Sequence, residues 1–224
     1  MSNNVGGMSH DLLIVSDLHL SEGRDGATKR LSRNEDFFFD EEFAAFLRHH
    51  QYGREWQGRK WKLIINGDFI DFLQVTSLPN PTTGYSYDEK YGLRTGPIET
   101  VWKLRKVVDG HWLFFEALAE FATDHKVLII VGNHDIEFWY QKVQDAFRNE
   151  LRGRLKDKPS GNPDDLRGLG ERRKLVEQNL EFSPWFCFEN DIYVEHGHQY
   201  DKLNCFPYLL DPRLPAIRGL PEDQ

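Results

Sequence analysis

Val127-Leu128-Ile129-Ile130-Val131-Gly132-Asn133-His134-Asp135 is the stretch whose reading decides this chain. Five apolar residues, four of them β-branched, run into a glycine and then three side chains able to bind metal or move protons. A short continuous apolar run predicts a strand buried on both faces, and Gly132 allows a sharp turn after it. Asp135 precedes Ile136-Glu137-Phe138-Trp139-Tyr140, which predicts a helix starting with a carboxylate near its N-terminus. Ligands of parallel α/β folds gather at the carboxyl ends of strands. The polar residues therefore fall where chemistry is expected.

Working upstream, the same design occurs twice more. Leu12-Leu13-Ile14-Val15-Ser16 leads into Asp17-Leu18-His19, and Trp61-Lys62-Leu63-Ile64-Ile65-Asn66 leads into Gly67-Asp68-Phe69-Ile70-Asp71. One such run is well explained by a capped loop with a satisfied polar residue. Three in series, each ending in Asp, His or Asn, point to a shared site. Between the first two, Asp40 to Tyr52 places Phe43, Phe46 and Leu47 at i, i+3, i+4 and predicts a helix. Strand, helix, strand implies a right-handed crossover and a parallel pair.

The segments that follow supply the rest of an α/β domain. Gln74 to Pro97 is punctuated by Pro79, Pro81, Gly84, Gly92 and Gly96, with Tyr85, Tyr87 and Tyr91 between them. It reads as a long loop, the kind that serves as a lid or binding loop. Ile98 to Asp124 predicts a helix broken near Asp109-Gly110, with Leu113, Phe114, Ala117, Leu118 and Phe121 on its apolar face. Phe138 to Leu155 and Arg172 to Leu180 predict two further helices. Phe182 to Phe188 and Asp191 to Glu195 predict two strands joined by a turn at Glu189-Asn190, the second leading into His196-Gly197-His198. The organisation expected is one domain over 10–224, C-terminally incomplete, with a cap-like insertion over 74–125.

Composition narrows the function classes. A formal charge of −8 over 224 residues argues against broad binding of a nucleic-acid backbone, which needs clustered Lys and Arg. Two cysteines make no disulfide framework, so a reducing, cytoplasmic setting is expected. No window reaches eighteen apolar residues, and Met1 to His10 has no apolar leader core. Among the remaining polar residues, His111 could line a pocket and Arg24, Arg30 and Arg33 could meet a substrate phosphate.

Divalent cations take carboxylate oxygens, imidazole nitrogens and amide oxygens. Asp17 and His19 lie two apart, so strand alternation would face them the same way. Asp68 follows a glycine, Asn133 offers an oxygen without charge, and His134 is placed to act as an acid. One carboxylate can bridge two metals about 3.5–4 Å apart, which together clamp the attacking and leaving oxygens of a phosphoryl group.

Asp-Leu-His, Gly-Asp-Phe-Ile-Asp and Gly-Asn-His-Asp, in that order, resemble the calcineurin-like metallophosphoesterase superfamily. Its pattern runs Asp-x-His, Gly-Asp-x-x-Asp, Gly-Asn-His-Asp/Glu, a later His and a closing Gly-His-x-His. The resemblance implies a four-layer-like α/β sandwich of metallophosphoesterase type. It places Asp17 and His19 on one metal, Asp68 between two, and Asn133 and His196 on the second. It implies a metal-bridging hydroxide as nucleophile, His134 stabilising or protonating the leaving oxygen, and Asp135 orienting His134. Two divalent ions are implied, Mn²⁺ first, with Zn²⁺, Fe or Mg²⁺ as alternatives.

The substrate implied is a small phosphorylated molecule, nucleotide- or lipid-linked compounds included, hydrolysed at a phosphomonoester, phosphodiester or pyrophosphate bond. Asp-Leu-His-Leu and the long segment after the second block are similar to the branch containing UDP-2,3-diacylglucosamine pyrophosphatases, although His134 stands where that branch often has Arg. The closing Gly-His-x-His is absent, since Tyr200 occupies its second His position. Either His196 is the later His, with His198 as a partial substitute ligand, or His196 and His198 are the closing pair; the first alignment is favoured. Two rivals follow: a nuclease of the same superfamily, and an impaired fragment that binds metal or a phosphorylated ligand without turnover.

Overall fold

The computed structural model describes residues 10–79, 91–157 and 165–206. Four strands, β1 (Asp11–Val15), β2 (Trp61–Asn66), β3 (Lys126–Ile130) and β4 (Leu180–Ser183), form one parallel sheet in the order β1-β2-β3-β4. Leu13 stands beside Leu63, Leu63 beside Val127, and Val127 beside Leu180. Because the strands run the same way, the loops after β1, β2 and β3 emerge at one edge. That brings together three blocks widely separated in the chain.

The unbroken apolar runs reflect cover on both faces. Leu63, Ile65, Val127 and Ile129 point into the main core, which the helices complete. Ile64, Leu128 and Ile130 point the other way and pack with Val194 and the half-buried Leu12 and Cys187. Val194 and Cys187 belong to an antiparallel hairpin, β5 (Phe186–Glu189) and β6 (Ile192–Glu195). Lys62, on β2, fastens it through an ion pair to Glu189 and also pairs, at 3.3 Å, with Glu181 of β4. This is the α/β sandwich arrangement expected for a metallophosphoesterase fold.

The hairpin also corrects two expectations. Phe182 to Phe188 is not one strand: β4 ends at Ser183 and β5 starts at Phe186. Pro184, with fixed φ and no N–H to donate, marks the break between them. The turn falls on Asn190 and Asp191, both in left-handed backbone (φ +51° and +63°), as a two-residue hairpin turn requires.

Five helices lie among the described residues: α1 (Asp40–Tyr52), α2 (Pro97–Gly110), α3 (Trp112–Phe121), α4 (Gln141–Arg154) and α5 (Leu169–Asn179). The expected break in the long helical segment occurs at His111. Of the stretch 74–125 expected as a cap-like insertion, α2 and α3 bury Leu104, Val107, Phe114, Phe115 and Leu118 in the main core. Ile136–Trp139 forms only a short 3-10 turn, and extended backbone at Tyr140 delays α4 to Gln141. The polar side chain of Asp135 does not cap it. No described helix is long and apolar enough to cross a membrane.

His111 joins elements of the fold. It is fully buried, with Nε2 3.0 Å from Glu35 and Nδ1 2.9 Å from Asp40, tying the α2–α3 junction to the loop that follows β1. Burial alone would lower its pKa, but the hydrogen bonds and charges of Asp40 and Glu35 prevail and hold it at about 9. A group raised in the folded state stabilises fully below its unfolded pKa of 6.5, and that stability is lost as pH climbs through about 9. Thermal melts of wild type and His111→Gln are therefore expected to differ by several degrees at pH 6, and the gap should narrow markedly by pH 10. A gap that stays constant or widens with pH would contradict the charged His111.

Candidate metal centre

The first two loops are laced together by backbone. The Asp17 N–H donates to Gly67 O (3.2 Å), His19 N–H to Asp68 O (2.9 Å) and Leu20 N–H to Phe69 O (3.0 Å). Asp17, His19 and Asp68 all adopt left-handed φ, at +53°, +49° and +48°. For a residue with a Cβ this costs on the order of 1 kcal/mol each. Such strain gathers where side chains are aimed for a purpose. It also changes the reason Asp17 and His19 approach one centre. They lie beyond β1, so loop geometry places them rather than strand alternation.

Asp68 is the hub. Its Oδ2 lies 3.6 Å from His19 Nε2 and 3.5 Å from His196 Nε2, while His196 Nε2 is also 3.6 Å from Asp17 Oδ1. Its Oδ1 accepts the backbone N–H of His134 at 2.9 Å. Two glycines permit this crowding. A Cβ on Gly67 would sit 2.4 Å from the His196 ring, and one on Gly132 would sit 2.2 Å from Asp68 Oδ1. His196 reaches the centre because β6 ends beside β2, where Asn66 Nδ2 donates to Glu195 O at 3.0 Å.

The carboxylate facing His134 is Asp71, not the Asp135 that the resemblance implies. His134 Nδ1 lies 2.9 Å from Asp71 Oδ2, and His19 Nδ1 lies 3.7 Å from the same oxygen. Asp71 is buried, its Oδ1 taking the N–H groups of Leu73 and Gln74. Asp135, fully buried, instead accepts Gly132 N–H (2.6 Å) and Phe69 N–H (2.8 Å), clamping the second and third loops. Burial, reinforced by the nearby Asp68 charge, pushes its pKa up to about 7 against the pull of those N–H bonds.

Two groups of side chains thus converge among the described residues: Asp17, Asp68 and His196, and beside them His19, Asp71 and His134. Within each group the donor atoms lie within 4.8 Å of one another. The separations of 3.5–3.6 Å around Asp68 exceed ordinary hydrogen bonds. Two ligands about 2.1 Å from one ion at a tetrahedral angle are roughly 3.4 Å apart, so the spacing suits a shared cation. Three acidic side chains drawn together with imidazoles form the donor set a divalent metal takes.

Asn133 lies half-buried between Gly132 and His134 in the same loop. His198 stands behind rather than within the donor groups: it is buried, with Nδ1 3.0 Å from His196 Nδ1, the ring nitrogen turned away from Asp17 and Asp68. Arg24 and Arg30 line a separate cavity with Lys106 and Asp109. Tyr85 and Tyr87 lie outside the described residues. Asp71 is the site residue that sequence reasoning left without a role, although it is the second Asp of the Gly-Asp-x-x-Asp block.

No curated protein and no solved structure matches the chain. The family model for calcineurin-like phosphoesterases matches residues 10–216, nearly the whole chain. With its three blocks converging at one sheet edge around Asp68, this chain belongs to the calcineurin-like phosphoesterase family.

Proposed function

We propose that the protein is a metal-dependent phosphoesterase that holds two divalent cations, Mn²⁺ first among them, and hydrolyses a phosphomonoester, phosphodiester or pyrophosphate. The placement of Asp68 Oδ2 between His19 Nε2 and His196 Nε2 carries this reading. In it Asp17, His19, Asn133 and His196 would hold the ions together with Asp68, and Asp17 and His196, 3.6 Å apart, would face the same one. Bound there, divalent cations supply the Lewis acidity that polarises a phosphoryl group and lowers the pKa of water.

The chain's own residues do the rest. His134, about one-third exposed, presents Nε2 to the substrate while Asp71 holds Nδ1. A buried carboxylate on one nitrogen orients the ring, so Nε2 is placed to deliver a proton to the departing oxygen. Asp135 keeps the second and third loops in register, a positioning role. Within the family, Asp-Leu-His-Leu and the long segment after Asp71 favour the branch of the UDP-2,3-diacylglucosamine pyrophosphatases. His134 in place of Arg favours a substrate other than that lipid nucleotide. The −8 charge weighs against the nuclease reading, and a cytoplasmic setting suits two free thiols.

His198 supports His196 in this scheme. A ligating Nε2 must carry a lone pair, so the His196 proton sits on Nδ1 and is donated to His198 Nδ1. Losing such a partner typically costs about 10–100-fold in metal affinity. Calorimetric titration with Mn²⁺ is expected to show that loss for His198→Ala and much less of it for His198→Asn, whose amide oxygen can accept the same proton. Equal affinities for wild type and His198→Ala would rule the support out.

The direct test of function is turnover of p-nitrophenyl phosphate and bis-p-nitrophenyl phosphate with added Mn²⁺, alongside metal content per chain. The missing Gly-His-x-His motivates one rival, a protein that binds metal without turnover. That rival predicts fewer than two ions per chain and no hydrolysis.

A further inference from the structure

Asp71 also reaches away from His134. Its Oδ1 accepts the N–H of Leu73 at 3.0 Å, and Leu73 forms one wall of a cavity of about 630 Å³. That volume falls in the range of small-molecule sites. Leu73, Tyr91, Leu93, Arg94, Thr95 and Lys103 give the cavity its character. Leu73 is 62% exposed despite being apolar, as a residue in the partition between two halves of a binding site would be. One carboxylate thus holds both the proton-delivering His134 and the wall of the cavity.

The charges lining the cavity point to the ligand. Its charged lining residues among those described are Arg94 and Lys103, both cations in a chain of net charge −8. Lys103 is 1% exposed, and its Nζ donates to Phe72 O at 2.9 Å. An ammonium carries three N–H donors, and among the described residues Phe72 O is its one hydrogen-bond acceptor. Glu137, Asp71, Glu22 and Glu99 attract it from a distance, yet burial prevails and pulls its pKa below the usual lysine value. A buried cation short of acceptors is stabilised most by an anion that brings oxygens to it. Arg94 adds a planar guanidinium suited to a carboxylate or phosphate.

We propose that this cavity takes the non-reacting end of the substrate, and that this end carries a second anionic group, a carboxylate or another phosphate, held by Lys103 and Arg94. The proposal rests on the phosphoesterase reading and names its substrate class: a phosphoester that is anionic at both ends. Binding at the remote anion would fix the scissile phosphate against His134 and the metal ligands, converting remote binding energy into alignment.

Two matched pairs of substrates test it, with released phosphate measured in Mn²⁺. Glycerol 3-phosphate is set against 3-phosphoglycerate for a carboxylate, and fructose 6-phosphate against fructose 1,6-bisphosphate for a phosphate. Wild type is expected to favour the doubly anionic member of at least one pair by tenfold or more in kcat/KM, chiefly through KM. In Lys103→Met, and separately in Arg94→Met, that ratio should fall towards one, whatever the absolute rates. The pair that shows the preference identifies the anion.

A ratio near one in both pairs overturns the proposal, as does a preference that survives both variants. If the Mn²⁺-loaded wild type turns over no phosphoester at all, the phosphoesterase reading falls, and melting temperatures then judge the cavity. A rise with fructose 1,6-bisphosphate or 3-phosphoglycerate that is absent with the partner compound and absent in Lys103→Met keeps the anion site. No such rise removes it.

Discussion

Asp68→Asn is expected to lower Mn²⁺-dependent hydrolysis of p-nitrophenyl phosphate by on the order of 10³-fold, comparable to losing a preorganised electrostatic group at a reacting centre. The substitution keeps the shape and the Oδ1 that accepts the His134 N–H. It removes the charge of the oxygen lying between His19 and His196. Both proposed metal positions depend on that oxygen, so metal content should fall together with the rate. The metal-free melting temperature should hold or rise, because Asp17, Asp68 and Asp71 crowd like charges at one edge of the sheet. Activity within tenfold of wild type, with two ions still bound, would remove Asp68 from the centre of the mechanism. Loss of activity with a collapsed melting temperature would mark Asp68 as structural instead.

Arg172→Met carries the largest expected effect on stability, about 3–5 kcal/mol, as when one partner of a buried ion pair is removed. Arg172 on α5 has no exposed side chain. Its Nη2 lies 2.5 Å from Glu120 on α3, and its Nη1 donates to Lys156 O at 2.7 Å. Without the guanidinium, a nearly buried carboxylate and a carbonyl lose their donors together. For a chain of this size each kcal/mol moves the melting temperature by roughly 2–4 °C, so a drop of about 10 °C is the expected reading. Replacing both residues, Glu120→Leu with Arg172→Met, should recover most of the loss, since an apolar pair needs no desolvation. A double variant no more stable than Arg172→Met alone would show that packing, not the stranded charge, sets the cost.

Much of the architecture is legible along the chain. β3 is an apolar run of β-branched residues ended by Gly132, and the same pattern locates β1 and β2 to within a residue or two. α1 matches its periodicity at both ends, with acidic residues in its first turn. The misreadings share one cause. Phe182 to Phe188 looks continuous because every residue around Pro184 suits a strand, yet one segment joins the parallel sheet and the other folds over its opposite face. Ile136 to Tyr140 looks like a helix start, but Asp135 is committed to backbone groups of two loops and caps nothing.

The candidate site divides along the same line. Which residue types reach the sheet edge follows from sequence alone, because strand period and turn residues are local properties and parallel strands deliver their ends together. Which carboxylate serves which imidazole does not. Asp71 meets His134 across 63 residues of sequence, and Asp68 meets His196 only where the end of β6 crosses Gly67. Those pairings depend on left-handed turns at Asp17, His19 and Asp68, on the missing Cβ atoms of Gly67 and Gly132, and on a hairpin packed over the sheet. Sequence determined the donors and the edge at which they gather. Tertiary structure alone decided their partners, because hydrogen bonds and shared charges act over a few ångströms of space and are indifferent to distance along the chain.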